Sequence, residues 1–340
     1  MSTFWRHRTV FVTGATGLMG GWLVKRLLEE GAHVTALVRD GVSSSMLGRE
    51  GITGRTRTVS GTVEDYPALR RVLSEYAIDT VFHLAAQPLV GVAERDPVGT
   101  LKTNIEGTWN MLEAARHTDV RQVIVASSDK AYGRSESLPY TEKHPLQGRH
   151  PYDVSKSCAD LICGMYATTY ATPVCIVRCA NLFGGGDLNF SRTLPGVIQS
   201  TLQGERFVIR GDGKSVRDFL YVKDAAVGYM RVAEALAQDR ALTGEAFNFS
   251  LEVKFTVLEC AYKVLKLLRR TDLEPIIRNQ AGAEIREQYL DSTKARRILG
   301  WVPEFSFDQA LDETVDWYRK YFGMERISER HNAFAAIGGD

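Results

Sequence analysis

The chain has 340 residues, of which 44% are apolar and 24% are charged, as in an ordinary globular protein. Its 42 basic and 41 acidic side chains leave a formal net charge of +1. This balance argues against a nucleic-acid-binding protein, because such proteins need an excess of Lys and Arg to meet phosphates. The length exceeds that of one compact domain, so we expect one large domain and a smaller one.

The first half of the chain alternates short β-branched runs with longer helical patterns. The predicted strands are Thr9–Val12, His33–Val38, Thr56–Val59, Thr80–Leu84, Gln122–Ala126 and Val174–Val177. The predicted helices are Leu18–Glu30, Pro67–Tyr76, Asn104–His117 and Tyr152–Tyr170. Strands that alternate with helices of this length indicate a parallel sheet covered on both faces. We therefore expect a Rossmann-type, doubly wound α/β fold.

This alternation ends after Asn181, where glycine-rich loops and isolated helices follow. We expect residues 1–182 to form a dinucleotide-binding Rossmann domain. Residues 183–323 should form mainly a smaller α/β domain for the substrate, with some segments returning to the first domain. Residues 324–340 have little pattern and are predicted to be a tail.

Three glycines, Gly14, Gly17 and Gly20, lie between the first predicted strand and the first predicted helix. Glycine at these positions permits a tight turn, close approach of a pyrophosphate to the backbone, and close packing of the helix on the sheet. The N–H groups and the dipole at the start of the helix then face the anion. The spacing predicts a dinucleotide-binding turn, and the alternative is an ordinary glycine-rich connection.

The end of the second predicted strand bears on the choice of dinucleotide. An NAD site usually has an acidic residue here for the ribose diol, and Asp40 lies one or two residues too late for this role. Arg39 can meet a 2′-phosphate, which favours NADP, or it can be a solvated surface residue. We expect NAD or NADP as the cofactor, with Arg39 inclining the prediction towards NADP.

Tyr152 and Lys156 are four residues apart, so they lie on one face of the predicted helix. The Lys156 ammonium, with a positive nicotinamide nearby, stabilises a tyrosinate. The phenol of Tyr152 can then act as a base towards a sugar hydroxyl while a hydride leaves the carbon. Amphipathic helices often produce this spacing by chance. Together with a dinucleotide turn and a serine-rich strand end, it indicates a dehydrogenase site.

Ser128, Asp129 and Lys130 follow the predicted strand Gln122–Ala126. Open α/β sheets bind their ligands at this end of the strands. Ser128 can form a hydrogen bond with the reacting oxygen. Asp129 and Lys130 form an acid–base pair, whose alternative interpretation is a surface ion pair at the start of a loop.

The cysteines and the apolar runs predict the compartment. The cysteines, which form no CxxC pair, are Cys158, Cys163, Cys175, Cys179 and Cys260. This spacing predicts neither a metal site nor a disulfide framework. We find no apolar stretch of signal-peptide length before Gly14 and no run of the roughly 18–20 apolar residues that a membrane span needs. We expect a cytoplasmic protein that binds neither membrane nor metal.

These motifs resemble those of the extended short-chain dehydrogenase/reductase family, the NAD-dependent epimerases and dehydratases of nucleotide sugars, from Phe4 to about Tyr321. Further stretches that carry the likeness are His83-Leu84-Ala85-Ala86, Asn104 with Gly107-Thr108, Arg178 with Asn181, Arg217-Asp218-Phe219 with Asp224, Arg286 before Asp291, and Leu299-Gly300-Trp301-Val302-Pro303. The stretches most similar to CDP-glucose 4,6-dehydratases are Phe4-Trp5, His83–Val90 and Ser128-Asp129-Lys130.

The resemblance implies a role for each candidate catalytic residue. Ser128 and Tyr152 serve the oxidation at C4 of the sugar, while Lys156 binds the cofactor ribose and tunes Tyr152. Asp129 protonates the leaving hydroxyl at C6, and Lys130 assists loss of the C5 proton.

The resemblance also implies binding residues and a partner. The cofactor-binding residues are Gly14, Thr16, Gly17, Leu18, Met19, Gly20, Arg39, Val63, Leu84, Ala85, Ala86, Asn104, Tyr152 and Lys156. The residues for the nucleotide sugar are Gln87, Asn181, Arg217 and Arg286, with the two arginines at the pyrophosphate. A homodimer is implied through the helices Asn104–His117 and Tyr152–Tyr170. The alternative is that their own domain covers the apolar faces of these helices.

The motifs and the family resemblance together imply a nucleotide-sugar 4,6-dehydratase that converts an NDP-hexose to an NDP-4-keto-6-deoxyhexose. C4 is oxidised, water is lost across C5 and C6, and the stored hydride returns to C6. CDP-glucose is the favoured substrate, and GDP- and UDP-sugars are alternatives. The first alternative activity is a nucleotide-sugar 4-epimerase. The second is a dinucleotide-binding sensor without turnover, although a sensor would not need Ser128, Tyr152 and Lys156.

Overall fold

A computed structural model of the chain describes residues 3–41, 45–49, 51–280 and 285–324. The strands are β1 Thr9–Thr13, β2 His33–Val38, β3 Arg57–Ser60, β4 Thr80–His83, β5 Gln122–Ala126, β6 Val174–Cys179, β7 Asn181–Phe183, β8 Val208–Ile209, β9 Val216–Tyr221, β10 Ala246–Phe249, β11 Lys254–Thr256, β12 Ile276–Ile277 and β13 Glu287–Gln288. The α-helices are α1 Leu18–Glu29, α2 Met46–Arg49, α3 Tyr66–Glu75, α4 Val90–Arg95, α5 Pro97–Leu101, α6 Gly107–Arg116, α7 Pro151–Tyr170, α8 Thr193–Leu202, α9 Val222–Gln238, α10 Val257–Leu267, α11 Thr293–Leu299 and α12 Phe307–Tyr321.

Seven strands form one parallel sheet in the order β10-β6-β5-β4-β1-β2-β3. The chain first builds β1, β2 and β3 outwards on one side and then places β4, β5 and β6 on the other. The direction of winding therefore reverses between β1 and β4, which pair with Val12 opposite Phe82. Ligands of open α/β sheets bind outside the carboxyl ends of the strands at such a point. The sheet confirms the predicted Rossmann-type fold.

Helices cover both faces of the sheet, as the continuous apolar strands require. On one face α6 packs against both α3 and α7. Side chains from the strands, Phe11 and Val123, share a buried cluster there with Leu69 of α3, Met111 of α6 and Cys163 of α7. On the other face α1 packs against α9. The parallel strands are thus held as a rigid support for the residues that follow them.

The chain divides into two compact units. The first contains the described residues up to Leu182 together with Arg217–Lys254 and Glu287–Glu304, and it holds the seven-stranded sheet. The second contains Phe183–Val216 and the described residues of 255–286 and from Phe305 onwards. In it α8 packs against α10 and α12, and β8 pairs with β12. None of the described helices combines the length and apolar character needed to cross a membrane.

Candidate active site

The turn between β1 and α1 requires glycine at two positions for steric reasons. Gly14 has φ +70°, and a Cβ added there would lie 2.7 Å from the backbone nitrogen of Ala85 in the segment after β4. A Cβ on Gly20 would lie 2.1 Å from the Gly14 carbonyl oxygen. Gly17 is the N-cap of α1, where no side chain caps the helix and no acidic residue lies in the first turn. The positive end of α1 therefore suits an anion such as a pyrophosphate.

The predicted cofactor residues of this region lie in two neighbouring segments. Thr16, Leu18 and Met19 belong to the turn and the start of α1, and Leu84, Ala85 and Ala86 follow β4. Thr13 joins the two segments, because its Oγ1 atom accepts hydrogen bonds from the backbone N–H groups of Leu84 and Ala85, both at 3.1 Å.

His83 is a neutral connector at the end of β4. Its Nδ1 atom lies 3.0 Å from Thr13 Oγ1, and its Nε2 atom lies 3.3 Å from Thr108 Oγ1. Thr108 donates its own proton to the Asn104 carbonyl oxygen at 2.7 Å, so we assign the His83 proton to Nε2. Burial, with a contribution from the Lys156 charge, lowers the pKa of His83 to about 3. His83 therefore joins Thr13, at the end of β1, to Thr108 on α6 through hydrogen bonds of a neutral ring, and it is not suited to transfer protons.

Asn104 connects the segment after β4 to α7. Its Oδ1 atom accepts a hydrogen bond from the Gln87 N–H at 2.7 Å, and its Nδ2 atom donates to the Gln87 carbonyl oxygen at 3.1 Å and to Ser155 Oγ at 2.9 Å. Ser155 Oγ in turn donates to the Tyr152 carbonyl oxygen at 2.7 Å. The predicted start of the helix Asn104–His117 was wrong. Asn104 lies in a π-helical segment, Lys102–Glu106, and the α-helix begins at Gly107. Such π-helical turns are frequent at functional sites.

The side chain of Gln87 is used within its own loop. Its Nε2 atom donates to the Leu89 carbonyl oxygen at 3.0 Å and to Thr100 Oγ1 at 3.1 Å, while its Oε1 atom accepts from the Leu89 N–H at 2.6 Å. A contact between this amide and a substrate would therefore compete with bonds that hold the loop.

Tyr152 and Lys156 are both buried on α7, and the Lys156 side chain reaches the end of β5. Lys156 is 5% exposed, and its Nζ atom donates to the Ala126 carbonyl oxygen at 2.8 Å. Burial lowers the pKa of Lys156 to about 8, although the charge of Asp160 acts in the opposite direction. Because Ala126 is two residues before Ser128, this bond joins the helix of Tyr152 to the segment of Ser128.

A buried ion pair between Asp160 and Arg178, which the sequence analysis missed, lies next to Lys156. Asp160 follows Lys156 by one helical turn, and its Oδ2 atom accepts from Arg178 Nε at 2.6 Å. Arg178 also donates through Nη1 to the Tyr132 hydroxyl at 2.8 Å, and Tyr132 donates to Asn248 Oδ1 at 2.7 Å. The only sequence signal for Asp160 is its four-residue spacing from Lys156, which places both on one helical face.

Ser128 and Asp129 form the start of a short 3-10 helix, Asp129–Tyr132. Ser128 Oγ accepts from the Lys130 N–H at 3.2 Å and donates to Asp129 Oδ1 at 2.9 Å. Asp129 is only 3% exposed, and burial raises its pKa against the opposing charge of Lys130, the bond from Ser128 and the charge of Arg217. The alternative of a solvated surface pair therefore does not describe this carboxyl group.

Lys130 lies beside a residue that the sequence analysis did not name. Its Nζ atom donates a hydrogen bond to Gln288 Oε1 on β13. Burial raises the pKa of both Asp129 and Asp153, and the positive charge of Lys130 opposes this rise. Gln288 falls between two motif residues, Arg286 and Asp291, but no spacing rule marks it.

The residues expected for the nucleotide sugar lie in both units. Arg217 is buried in the first unit, and Asn181 Nδ2 donates to the Asp218 carbonyl oxygen at 3.0 Å. Burial raises the pKa of the Asp218 carboxyl group to about 7. Arg286 belongs to the second unit, where its side chain is 72% exposed and forms an ion pair with Asp212 at 3.3 Å.

Two further cofactor predictions concern Arg39 and Val63. Arg39 Nε lies 2.7 Å from Asp40 Oδ2, and the two side chains are 67% and 65% exposed. Val63 is buried in the core cluster, and its carbonyl oxygen accepts a bond from Asn110 Nδ2 at 3.3 Å. Only the backbone of Val63 is polar, so any cofactor contact through polar atoms would be made there.

Comparison with known proteins places the chain among enzymes of nucleotide sugars. A family model described as GDP-mannose 4,6 dehydratase matches residues 11–314. CDP-glucose 4,6-dehydratase from Salmonella typhimurium is 30% identical over 95% of this chain and 93% of that protein. Among solved structures, UDP-glucose 4-epimerase from Thermotoga maritima is 28% identical with a TM-score of 0.83, covering 92% of this chain and 99% of that one. A double mutant of dTDP-glucose 4,6-dehydratase from Streptomyces venezuelae, solved with NAD bound, has the same identity and TM-score and covers 92% and 98%.

The matched region includes the glycine-rich turn and all the candidate catalytic residues. The similar proteins include both dehydratases and epimerases, so the comparisons establish the class that these activities share. The chain therefore belongs to the GDP-mannose 4,6 dehydratase family and is a nucleotide-sugar dehydratase or epimerase of the extended short-chain dehydrogenase/reductase type.

Proposed function

We propose that this protein is a 4,6-dehydratase that converts an NDP-hexose to an NDP-4-keto-6-deoxyhexose. The observation that carries the proposal is the Asp129 carboxyl group, which is buried, bonded to Ser128 and raised in pKa. A raised pKa keeps a carboxyl group protonated to higher pH, as a general acid requires. Dehydration needs such an acid for the departing C6 oxygen, whereas no oxygen leaves the sugar in 4-epimerisation.

We propose NAD as the cofactor and the first unit as the part that binds it. The glycine turn and the uncapped start of α1 fit a pyrophosphate, and the related dehydratase from Streptomyces venezuelae was solved with NAD. Arg39 pairs with Asp40, which favours its interpretation as a surface residue over a contact with the 2′-phosphate of NADP. When bound at this turn, NAD would supply the acceptor for the hydride from C4 of the sugar and the donor of that hydride to C6.

Tyr152 is proposed to accept the O4 proton, while Ser128 forms a hydrogen bond with the same oxygen. Lys156 is protonated at neutral pH because its pKa is about 8, and its positive charge favours the tyrosinate. Its bond to the Ala126 carbonyl oxygen holds this charge at the carboxyl end of β5. The same lysine is proposed to bind the cofactor ribose.

Elimination then uses Asp129 and Lys130. The C4 ketone makes the C5 proton acidic, and Lys130 is proposed to take this proton after its ammonium has lost a proton to solvent. The electron pair of the C5–H bond forms the C5–C6 double bond as the C6–O bond breaks. Asp129 gives its proton to the departing hydroxyl, which leaves as water. The proton on Lys130 returns to C5 when C6 is reduced.

CDP-glucose is the proposed substrate, supported by the similarity to the Salmonella dehydratase. Arg217 and Arg286 are the residues that the family resemblance implies for the pyrophosphate, with Asn181 near it, and the second unit is proposed to serve the substrate. A 4-epimerase is the second candidate, because the Thermotoga epimerase matches this fold as closely in TM-score as the Streptomyces dehydratase.

The proposal is tested by incubating the protein and NAD with CDP-, dTDP-, UDP- and GDP-hexoses and measuring product masses. Loss of one water, most rapid with CDP-glucose, is expected. Products of unchanged mass that are C4 epimers would instead establish the epimerase. No conversion of any sugar, with dinucleotide still bound, would favour a sensor without turnover.

A homodimer in the cytoplasm is proposed as the working form. Large apolar side chains are exposed on the helices that the resemblance assigns to the dimer, with Trp109 on α6 and Leu161, Met165 and Tyr170 on α7. The first unit does not cover them, so a second copy of the same surface is the proposed partner.

A further inference from the structure

Gln288 is a fully buried amide that reaches the candidate active site from a distant part of the chain. It lies on β13, and its Oε1 atom accepts the hydrogen bond from Lys130 Nζ. The backbone that follows is held on both sides. The Tyr289 carbonyl oxygen accepts from the Tyr140 N–H at 3.0 Å, and the Leu290 N–H donates to Asp218 Oδ2 at 3.0 Å. The position of the amide is therefore set by a constrained backbone.

The nitrogen atom of the Gln288 amide distinguishes it from the side-chain amides of Gln87 and Asn104. Gln87 and Asn104 use both their oxygen and their nitrogen atoms in hydrogen bonds to the protein. The Nε2 atom of Gln288 is buried and has no hydrogen-bond partner among the described residues. The bond to Lys130 is therefore the contact by which this side chain acts on the protein.

A lysine side chain has a long flexible stem, so the position of its nitrogen depends on its partners. The positive charge of Lys130 acts on the buried carboxyl groups of Asp129 and Asp153, and either group, when ionised, would attract the Lys130 ammonium. An amide oxygen holds the amine without adding negative charge. It leaves the lone pair of the neutral amine available, because an N–H of that amine can donate to the amide.

We propose that Gln288 is a positioning residue that holds the Lys130 nitrogen for transfer of the C5 proton. This inference rests on the proposed dehydratase function. In the step that Gln288 supports, the C5 proton moves to the Lys130 amine, the C5–C6 double bond forms, and the C6 hydroxyl leaves as water with the proton from Asp129. Gln288 itself neither gains nor loses a proton.

The test compares Gln288→Met, which keeps the length but removes the acceptor, with Glu287→Met, the same change at the exposed neighbour on β13. Three quantities are measured on CDP-glucose: formation of the reduced cofactor, incorporation of deuterium at C5 in D₂O, and loss of water by mass. Gln288→Met should form reduced cofactor normally but lose C5 exchange and product on the order of 10²-fold, since misplacing a catalytic group by about 1 Å has such an effect. Glu287→Met should match the wild type in all three.

A second variant, Gln288→Glu, keeps both length and acceptor, so it tests the same step if Gln288→Met folds poorly. Its carboxylate should favour the charged ammonium of Lys130 and lower C5 exchange while C4 oxidation continues. In Lys130→Met, adding Gln288→Met should cause little further loss, because the two residues act as one unit.

Full C5 exchange in both Gln288 variants would overturn the inference and leave the dehydratase function intact. Equal losses of C4 oxidation and product would also overturn it, because they would show a general structural role. A wild-type protein that never releases water would instead refute the proposed function itself.

Discussion

The Lys156 ammonium donates a hydrogen bond to the Ala126 carbonyl oxygen, 2.8 Å away, and so joins the helix of Tyr152 to the strand that precedes Ser128. The two residues are 30 positions apart in the chain: Ala126 is the last residue of β5, and the Lys156 side chain reaches it from α7. This bond explains how the helix that carries the Tyr152–Lys156 spacing and the strand end that precedes Ser128 come together at the candidate site.

The first prediction concerns the proposed base. Tyr152→Phe removes the phenol oxygen that accepts the O4 proton, so kcat should fall on the order of 10²–10⁴-fold. Binding of NAD, measured by calorimetry, and the thermal unfolding temperature should be preserved. Tyr262→Phe, at an exposed tyrosine on α10, is the control and should have normal activity. A Tyr152→Phe enzyme with near-normal kcat would rule out this mechanism.

The second prediction separates the dehydratase from the epimerase. Asp129→Asn keeps the shape of the buried side chain but cannot deliver a proton to the C6 oxygen. C4 oxidation should continue, so absorbance near 340 nm, typical of a dihydronicotinamide, should accumulate while water loss falls on the order of 10²-fold or more. Asp119→Asn, at an exposed position, should behave as the wild type. Full activity of Asp129→Asn, with C4 epimers as products, would show that Asp129 is not a general acid.

The third prediction is a pH dependence of stability that originates at His83. Its pKa is about 3 in the folded protein and 6.5 for the unperturbed group, so the unfolded chain binds the proton more readily. Stability should therefore be unaffected by His83 above pH 6.5 and should be lost as pH falls from 6.5 towards 3, approaching about 1.4 kcal/mol per pH unit. His83→Gln, which cannot titrate, should remove this part of the dependence. Urea unfolding of both proteins between pH 7 and 4 measures it, and parallel curves would contradict the assignment.

The fourth prediction concerns the cofactor. The wild type should bind NAD more tightly than NADP, because Arg39 is an exposed partner of Asp40. Arg39→Ala should change NAD affinity by no more than about 0.5 kcal/mol, as for other surface ion pairs. Titration with both dinucleotides tests this. A selective loss of about 1.5–3 kcal/mol in NADP binding would instead show a hydrogen bond from Arg39 to the 2′-phosphate.

The fifth prediction concerns the dimer. Leu161 on α7 is 64% exposed, and a charge there would be buried unpaired in the proposed interface. Leu161→Glu should convert a dimer to a monomer in light scattering after gel filtration. Val302→Glu, an equally exposed apolar residue outside these helices, should leave the dimer unchanged. A wild type that is monomeric at micromolar concentration would refute the dimer.

The strands and helices that sequence patterns predicted correctly are those set by local interactions. The β-branched runs and helical periods predicted the bounds of strands β1 to β6 to within about two residues. They could do so because these periods reflect which side chains face the core. The tight turn between β1 and α1 could be predicted from its glycines for the same reason, since such a turn constrains only a few adjacent residues. The spacing of Tyr152 and Lys156 is also a property of one helix.

The tertiary structure alone decided which distant residues meet at this site. Gln288 forms a hydrogen bond with Lys130, which is 158 positions away in the chain, and Arg178 forms one with Asp160, which is 18 positions away. Strand β10 pairs with β6 although many residues separate the two strands in the chain. These contacts depend on strand order and on how much water is excluded, and no local pattern encodes either. Burial likewise made Asp129 a carboxyl group of raised pKa and His83 a neutral link, because desolvation is set by the whole fold around a group rather than by its neighbours in the chain.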